Sequence, residues 1–512
     1  MGMLVGDSTN HSAQIFGAVA AGWLGWYTWK FFISPLLYRD EPKELPYLIP
    51  FFGHTLSMVT GAHNMFLDGR KRFGNDPWAV TIMGESLYVI PSAEDVLAVY
   101  RAPKTLDFDP FIKEMLSKYG ITAETASKMF DTLPGQTKNW METMIENFKT
   151  QMHPGEKLDH VQTRLLGFID HSLVWGRLHG RMVLEDGGNE RVVSLYNWSE
   201  VVIVDAQTRA FFDDALYKEC PDLLAQFQIY EDEAWKLPMD LPDFATKALR
   251  SSKINIESGL RRYLKLSRDE RPNDSWLIDI LCKDMDKLGL EEDQKVYVLF
   301  SFYRVMNANA YKLVFWIISY LLFHPQLMEE LKVEIEPAFR DGNHSTPDLS
   351  FLFDSCPLLA SICEEVLRLT NWPIGTRTVQ TDTIIGGKKL RQGRKLLMPY
   401  RAMHFDPAVF GADATAFNPK RFIMKKTLVT HKSYRPFGGA AHYCPGRYIA
   451  RREVQMFTAV MLMRFEITLL EGEGPGNRSH FPKMDDTLPS GGIQVPSKGE
   501  DLIVRVRPSK AV

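Results

Sequence analysis

The residues best suited to chemistry lie in the run Phe437–Gly446, which contains one cysteine, Cys444. Four small residues precede this cysteine: Gly438, Gly439, Ala440 and Ala441. Small residues let backbone N–H groups approach a sulfur atom. Because Pro445 has no N–H, the donors on the C-terminal side of Cys444 must come from Gly446 and later residues. The run from Arg447 favours a helix, whose N-terminal dipole lowers the pKa of a nearby thiol. These features predict that Cys444 is the thiolate ligand of a haem iron.

The same run resembles the cysteine-loop signature of the cytochrome P450 superfamily. Phe437, Cys444 and Gly446 match the signature, whereas Ala440 stands at its second glycine position and His442 at its usual arginine position. The resemblance implies a haem b cofactor whose iron is bound by Cys444. It also makes His442 a candidate single donor to a haem propionate, with a solvated loop residue as the alternative. The other loop residues expected to contact the cofactor are Phe437, Gly438 and Gly446.

Two further motifs occur upstream, in the order that the family shows. Glu365 and Arg368 stand three residues apart on a predicted helix, so their side chains share a face. Arg421 follows within Phe417–Phe422, ahead of the cysteine loop. The resemblance implies that Glu365, Arg368 and Arg421 form a buried triad that holds the cysteine loop to the core, so that losing one member should release haem. The alternative is a set of ion pairs on the surface.

Two more residues resemble family contacts to the haem propionates. Arg377 ends a run that begins at Trp372 and is similar to the strand whose arginine binds a propionate, so we expect a bidentate donor there. A family helix often presents a Trp and, four residues later, an Arg to a propionate. This chain has Trp140 but Met144, so only the tryptophan is carried over. The alternative for Trp140 is an ordinary core aromatic.

The run Glu291–Phe323 predicts one long helix, because apolar residues recur at helical spacing and the run stops before Pro325. In the family this helix crosses the distal face of the haem, and an acid and a threonine at its centre relay protons. Here Asn309 takes the position of the acid and Ala310 that of the threonine. The pair resembles the branch of prostacyclin synthase and the bile-acid sterol hydroxylases, in which the acid is likewise Asn.

Ala310 has no proton to give, which leaves two readings open. Either water or substrate hydroxyls relay protons, or the reaction is not an ordinary oxygen insertion. Asn309 is a candidate catalytic residue, and its alternative is a core amide that bends the helix or binds water. Near the C-terminus, Ser490–Ile493 predicts a hairpin tip that reaches the substrate site.

The most apolar segment of the chain is 13–37, and its tryptophans suit a bilayer interface. Its one charged residue, Lys30, is near enough to the end to snorkel. Arg39 and Lys43 follow, so the positive-inside rule places the body of the protein in the cytosol. The sequence therefore predicts luminal residues at 1–12 and a single membrane anchor at 13–37. A buried amphipathic helix is the alternative.

The remainder of the chain predicts a hinge and one large domain. Pro42, Pro46 and Pro50 make residues 38–52 a stiff connector. Residues 53–512 contain no Gly/Ser linker or repeat, so we expect a single haem-thiolate domain there. With the resemblance, the expected fold class is mainly α with a small β portion, the cytochrome P450 fold, preceded by one transmembrane helix.

Composition narrows the class of function. The 512 residues are 45% apolar and 24% charged, as in ordinary globular enzymes. The net charge of −3 argues against a nucleic-acid surface. The five cysteines form no C-x-x-C pair, which excludes a typical zinc site and indicates a reducing compartment.

The resemblance implies a monooxygenase on the endoplasmic reticulum membrane, with its catalytic domain in the cytosol. Its electrons would come from NADPH-cytochrome P450 reductase, with cytochrome b5 as an optional second donor. The sequence is similar in style to fungal secondary-metabolism members, so a hydrophobic terpenoid, steroid or polyketide substrate is expected. One alternative is an isomerase or dehydratase that needs no external electrons, as Ala310 suggests. The other is a haem-binding sensor without catalysis.

Overall fold

A computed structural model describes residues 6–132, 135–239, 241–340, 342, 345–470, 480–487 and 491–509. Residues 1–5 of the predicted luminal segment and Ser490 of the predicted hairpin tip lie outside this part of the chain. The described residues are mostly helical, with a smaller share of strand. The predicted fold class of a mainly helical protein with a small β portion is therefore confirmed.

The α-helices are α1 Gly6–Thr28, α2 Ser34–Leu37, α3 Thr55–Phe73, α4 Ala93–Arg101, α5 Asp109–Tyr119, α6 Ala123–Phe130, α7 Trp140–Met152, α8 Glu156–Ser172, α9 Leu195–Phe212, α10 Ala215–Glu219, α11 Leu223–Glu233, α12 Lys247–Leu264, α13 Trp276–Lys287, α14 Glu292–Asn307, α15 Ala310–Leu322, α16 Pro325–Ile335, α17 Leu349–Asp354, α18 Pro357–Thr370, α19 Tyr400–His404, α20 Pro407–Phe410, α21 Arg421–Met424 and α22 Arg447–Arg464. Short 3₁₀ turns include Ala234–Met239 and Ala440–His442.

The strands are β1 Lys43–Glu44, β2 Trp78–Ile82, β3 Glu85–Val89, β4 Leu106–Asp107, β5 Val183–Asp186, β6 Arg191–Ser194, β7 Ile374–Val379, β8 Thr383–Ile385, β9 Lys388–Leu390, β10 Lys395–Pro399, β11 Phe465–Leu469 and β12 Ile503–Pro508. The chain divides into two compact units. The first comprises Met1–Phe108 and Ile374–Met403, and the second comprises Asp109–Pro373 and His404–Val512.

A six-stranded sheet organises the first unit, in the order β1, β2, β3, β10, β7, β4. The antiparallel pair β2 and β3 is joined by Met83 and Gly84, which both adopt positive φ, as tight hairpin turns require. Trp78, Val80 and Val89 of these strands are fully buried. Because alternate residues of a strand point to one face, they pack that face of the sheet against α3.

The predicted anchor segment 13–37 is helical along its whole length. It comprises most of α1, a π-helical turn at Trp29–Ile33 and α2. Its large exposed side chains are Ile15, Phe16, Val19, Leu24, Trp29, Phe32, Ile33, Leu36 and Leu37. The segment thus leaves apolar side chains uncovered on several turns.

The later part of this helical segment packs on the proline-rich connector of the same unit. The indole Nε1 of Trp23 donates to the carbonyl oxygen of Leu48 at 2.7 Å. The ammonium of Lys30 donates to the Tyr47 hydroxyl at 2.6 Å and lies 3.2 Å from a carboxylate oxygen of Glu44. These polar contacts fix the helix against residues 44–48.

The second unit is built around helices that are buried on nearly every side. All residues of α15 are buried, and α9 and α22 pack against it. A helix that is apolar all round belongs in the core of a large domain. Beside these helices lies a four-stranded antiparallel sheet in the order β11, β12, β6, β5.

The long helix predicted over Glu291–Phe323 is two helices, so the prediction of one uninterrupted helix is wrong. α14 ends at Asn307 and α15 begins at Ala310, and Asn309 between them has φ −129° and ψ −41°. Asparagine side chains compete with the helix for backbone hydrogen bonds. Here the Asn307 side chain donates back to the carbonyl oxygen of Tyr303 at 2.9 Å.

Within the described part of the chain, one helical run is long and apolar enough to cross a membrane, and it is Glu292–Leu322. Most of this run is buried, as in the core helix of a soluble domain. Membrane anchoring by residues 13–37 therefore stays a prediction.

Candidate functional site

The cysteine loop lies in the second unit, directly before α22. The backbone N–H of Cys444 donates to the carbonyl oxygen of Phe437 at 3.0 Å, which closes the loop. Gly438 and Ala440 both adopt left-handed backbone conformations, with φ of 75° and 57°. Glycine tolerates that region, whereas an alanine there is strained by about 1–2 kcal/mol. The loop therefore keeps a tight turn although Ala440 replaces the family's glycine.

The sulfur of Cys444 is held at the N-terminus of α22. Burial raises the pKa of the Cys444 thiol, whereas N–H groups of Gly446 and Arg447 that face the sulfur oppose that rise. The guanidiniums of Arg447 and Arg451 oppose it as well. Donors and positive charges aimed at a shielded sulfur are what a thiolate ligand needs.

The ion pair between Arg451 and Glu364 packs against the cysteine loop at Phe437. Arg451 of α22 lies with its guanidinium carbon 4.7 Å from the ring centre of Phe437. The same guanidinium binds the carboxylate of Glu364, with one N–O distance of 3.2 Å. The hydroxyl of Tyr434 donates to Glu364 at 2.6 Å. The Phe437 end of the loop therefore packs on Arg451. The charge of Arg451 is balanced by the buried carboxylate of Glu364, which also accepts from Tyr434.

Glu365, Arg368 and Arg421 meet in the core, and the Glu365 and Arg368 side chains are fully buried. Arg368 donates to both Glu365 oxygens, at 2.8 and 2.7 Å, and Arg421 donates to both at 3.1 Å. Arg421 also pairs with Asp413 at 2.9 Å, so two carboxylates face two guanidiniums. Charges this deep are stable only when all of them are paired.

Backbone and side-chain contacts join this triad to the cysteine loop. Arg368 donates to the carbonyl oxygen of His404 at 2.8 Å. The ring Nε2 of His404 accepts from the backbone N–H of Arg435 at 2.9 Å, two residues before the loop. Next to it, the Asn371 side chain donates to the carbonyl oxygen of Pro436. A disturbance of the triad would reach the loop along this route.

Trp140 has a buried donor that a haem propionate could bind. Its indole Nε1 is buried and has no hydrogen-bond partner among the described residues. A buried donor without an acceptor costs about 1–3 kcal/mol. A haem propionate is an anionic acceptor that would satisfy it, so this donor and the Cys444 sulfur fit a haem. Met144, one turn along α7, is a buried apolar residue without a donor.

The other two propionate candidates belong to different units of the chain. His442 is half-buried in the 3₁₀ turn Ala440–His442 of the second unit. Arg377 belongs to β7 of the first unit, where its guanidinium carbon lies 4.6 Å from the ring centre of Phe108. Its Nη1 donates to the neighbouring carbonyl oxygen of Thr376 at 2.6 Å. The roles of Arg377 and His442 towards haem stay predictions.

Asn309 lies in the helix break and holds the C-terminal segment. Its side-chain oxygen accepts from the backbone N–H of Ile493 at 3.0 Å. A Cβ added at Gly492 would lie 2.2 Å from that oxygen, so a larger residue there would require the Asn309 amide to shift. Ala310, the first residue of α15, is buried and has no polar side-chain atom. This geometry supports the structural alternative for Asn309, because its side chain binds the backbone of Ile493 at the point where the helix is interrupted.

Sequence reasoning missed several residues that shape the site. Glu364 and Arg451 hold the Phe437 end of the loop, and Asn371 holds Pro436. One signal was present, because Glu364 directly precedes Glu365 and acidic residues are rarely adjacent on a buried helix. The partner Arg451 lies 87 positions away, so the pairing itself was not visible.

Comparisons with known proteins agree with this geometry. A family model described as Cytochrome P450 matches residues 262–496, which contain the triad, the broken helix and Cys444. A cytochrome P450 monooxygenase of Gibberella zeae is 24% identical over 462 residues, which cover 86% of this chain and 84% of the relative. The solved structure of retinoic acid bound cyanobacterial CYP120A1 has a TM-score of 0.71 at 18% identity, and covers 92% of this chain and 99% of its own.

A further relative bears on the predicted branch. The 7-alpha-hydroxycholest-4-en-3-one 12-alpha-hydroxylase of Oryctolagus cuniculus is 30% identical over 215 residues, which cover 38% of this chain and 42% of the relative. Because so little of either chain is aligned, the placement of the long helix in the sterol hydroxylase branch stays a prediction.

The triad yields a first prediction. Glu365→Gln leaves two buried guanidiniums facing one carboxylate, so we expect the free energy of unfolding to fall by about 3–5 kcal/mol and haem to be lost on purification. Denaturant unfolding and haem content per polypeptide measure both effects. The matched control is Glu329→Gln, which removes an exposed pair with Lys332 at the same i, i+3 spacing and should cost less than about 1 kcal/mol. Equal losses in the two variants would contradict a buried role for the triad.

The helix break yields a second prediction. Gly492→Ala should push the Asn309 amide aside and lower the thermal midpoint, because the added Cβ overlaps its oxygen. Asn309→Ala alone should also destabilise, since the Ile493 N–H loses its acceptor. In the double variant the overlap is absent, so the combined loss should be clearly smaller than the sum. Simple additivity of the two losses would show that the residues do not meet.

Proposed function

We propose that this chain is a cytochrome P450 monooxygenase that oxidises a hydrophobic small molecule in a fungal secondary-metabolite pathway. The family and fold imply a haem bound through a cysteine thiolate, a redox partner and a small-molecule substrate. We propose a terpenoid, steroid or polyketide as the substrate and NADPH-cytochrome P450 reductase as the electron donor.

The observation that carries the proposal is the environment of the Cys444 sulfur. Haem bound at this cysteine would supply the redox-active iron that reacts with dioxygen. Cys444 would hold the iron, and the N–H groups of Gly446 and Arg447 would stabilise the negative charge of the thiolate. Trp140 would donate from Nε1 to a haem carboxylate. Glu365 and its two arginines would keep the loop fixed while the cofactor is bound.

An exposed aliphatic side chain beside the helix break supports a hydrophobic substrate. Val305 of α14 has 68% of its surface exposed, although Phe302 and Asn307 on the same helix are buried. Asn309, one turn after Val305, is partly exposed on the same face. An aliphatic side chain that is exposed near the end of α14 is suited to contact with an apolar ligand.

A second candidate function is a haem-thiolate isomerase or dehydratase that works without external electrons. Ala310 has no hydroxyl, and the side-chain oxygen of Asn309 already accepts from Ile493. Neither residue is therefore placed as an acid–alcohol pair that delivers protons from the helix. Water or the substrate's own hydroxyls would do so in a monooxygenase, whereas an isomerisation would not need that delivery.

A third prediction tests the reaction. Metabolites of the host with and without this gene are compared by mass spectrometry, and the accumulating compound is incubated with the purified chain, reductase, NADPH and ¹⁸O₂. We expect a product carrying one labelled oxygen. An unlabelled isomer or dehydrated product would establish the second candidate, and a spectral response without any product would favour a sensor.

The control for that experiment is Cys444→Ser. This variant should lose the thiolate-type absorption of the reduced carbon monoxide complex and should form no product. If it keeps that absorption, Cys444 is not the iron ligand.

We also propose that residues 13–37 form a single-pass anchor in the endoplasmic reticulum membrane, with the catalytic part of the chain in the cytosol. The exposed apolar side chains of α1 and α2 support it. The adjoining loop and the first turn of α3 add more exposed apolar residues: Leu48, Ile49, Phe51, Phe52 and Leu56. Because Trp23 and Lys30 bind residues 44–48, this loop lies beside the helix and would contact the same membrane.

A fourth prediction tests membrane contact in the full-length chain. A fluorophore is attached at Val19→Cys, Phe52→Cys or Lys104→Cys, in vesicles that contain nitroxide-labelled lipid. We expect quenching at positions 19 and 52. Lys104 is the control, because it precedes β4 at the sheet edge opposite β1. Quenching at 19 alone would contradict loop contact, and no quenching at 19 would contradict the anchor. The native Cys220, Cys282, Cys356 and Cys363 are buried and should label slowly.

A further inference from the structure

A single carboxylate bridges the two halves of the broken helix. Arg304 lies near the end of α14, and Lys312 lies in the first turn of α15, on the other side of the break. Glu231 of α11 binds both. One of its oxygens is 3.0 Å from the Lys312 ammonium, and the other is 3.3 Å from Nε of Arg304.

This bridge is buried. The side chains of Glu231 and Lys312 are each only 8% exposed, and Arg304 is 26% exposed. Arg304 also donates from Nη1 to the Tyr119 hydroxyl of α5 at 3.1 Å. Burial raises the pKa of Glu231, but the two cations outweigh it and hold the pKa below its usual range. Glu231 is therefore ionised, and its single negative charge faces the two cations.

Burying the charges of this bridge costs desolvation free energy, which suggests that the bridge has a role in positioning. Apart from Lys312, α15 contains only apolar residues, tyrosines and a serine. A methionine at that position would avoid the cost of desolvating an ammonium and a carboxylate. Buried ion pairs stabilise a fold little compared with apolar residues of similar volume, but they do fix relative position. Because the backbone leaves the helical path at Asn309, α14 and α15 need another constraint on their relative orientation.

We propose that Glu231 is a positioning residue that holds α14 and α15 at one orientation, by binding a cation on each, and thereby keeps Asn309 and Ala310 in place. The proposal rests on the proposed function only in assigning those two residues to a haem site. Glu231, Arg304 and Lys312 are not among the residues assigned to the haem site. Its effect is transmitted through the two helix ends that meet at Ala308 and Asn309.

The direct test is hydrogen–deuterium exchange of the purified full-length chain, read on peptides that cover residues 304–313. Glu231→Gln should increase exchange across the break by about tenfold or more, because the two helix ends lose their common partner. The matched control is Glu233→Gln on the same helix, which removes an ion pair with Lys236 and touches neither α14 nor α15. Exchange that is unchanged in Glu231→Gln, or changed equally in the control, would overturn the proposal.

A second variant keeps the test valid if Glu231→Gln does not fold. Lys312→Met removes the α15 cation and leaves Glu231 paired with Arg304, so the remaining charges balance. Exchange should rise in the peptide that contains residues 309–313 and stay unchanged in α14 before residue 304. Unchanged exchange at 309–313 in Lys312→Met would also overturn the proposal.

The effect of the bridge on the haem site is measured separately. Imidazole binding to the haem-loaded protein, followed by the Soret shift, reports the space on the distal side. Its affinity should change about fivefold or more in Glu231→Gln and less than twofold in Glu233→Gln. Faster exchange without a change in imidazole affinity would overturn the link between the bridge and the site. The exchange result does not depend on which reaction the enzyme performs, so failure of the proposed function would be recognised separately.

Discussion

Burial and ionisation of one sulfur atom oppose each other, and the second unit is arranged around that conflict. Shielding Cys444 from water raises the pKa of its thiol, whereas a thiolate is the form that binds iron. The N–H groups of Gly446 and Arg447, at the start of α22, oppose this rise in pKa because they face the sulfur. Reaching that geometry requires left-handed backbone at Gly438 and Ala440, which a short loop cannot maintain alone.

The constraint explains why so many charges are buried near the loop. Glu364 and Glu365 are consecutive residues of α18, so their side chains point about 100° apart around the helix. Glu365 binds Arg368 and Arg421, whereas Glu364 binds Arg451 behind the cysteine loop. One helix therefore supports the loop from two directions. Each carboxylate has at least two donors, which is the condition under which a buried charge is tolerated.

The broken helix follows a different principle. Asn309 uses its side chain to hold Ile493, and the backbone leaves the helical path at that residue. Gly492 permits this approach because a larger residue would overlap the amide. The gap left in the helix is bridged from α11 by Glu231. Buried polar groups cost free energy unless they are paired, and here the paired side chains of Asn309 and Glu231 link α14 and α15 to neighbouring segments.

Local chemistry and order along the chain were readable from the sequence. The resemblance to the cytochrome P450 superfamily and the members of the triad were indicated by the small residues around Cys444, the i, i+3 spacing of Glu365 and Arg368, and the later Arg421. These features depend on near neighbours or on motif order. The mainly helical class was expected from that resemblance. The replacement of an acid and an alcohol by Asn309 and Ala310 was equally visible.

Tertiary structure alone decided the partners of those residues. Asn309 meets Ile493, which is 184 positions away, and that contact breaks a helix whose apolar period predicts no interruption. Arg451 finds Glu364 across 87 positions, and Lys312 finds Glu231 across 81. No local spacing encodes such contacts, because hydrogen bonds and ion pairs depend on which atoms the packed chain brings within about 3 Å. Sequence determined the chemical groups, and packing determined what each group binds.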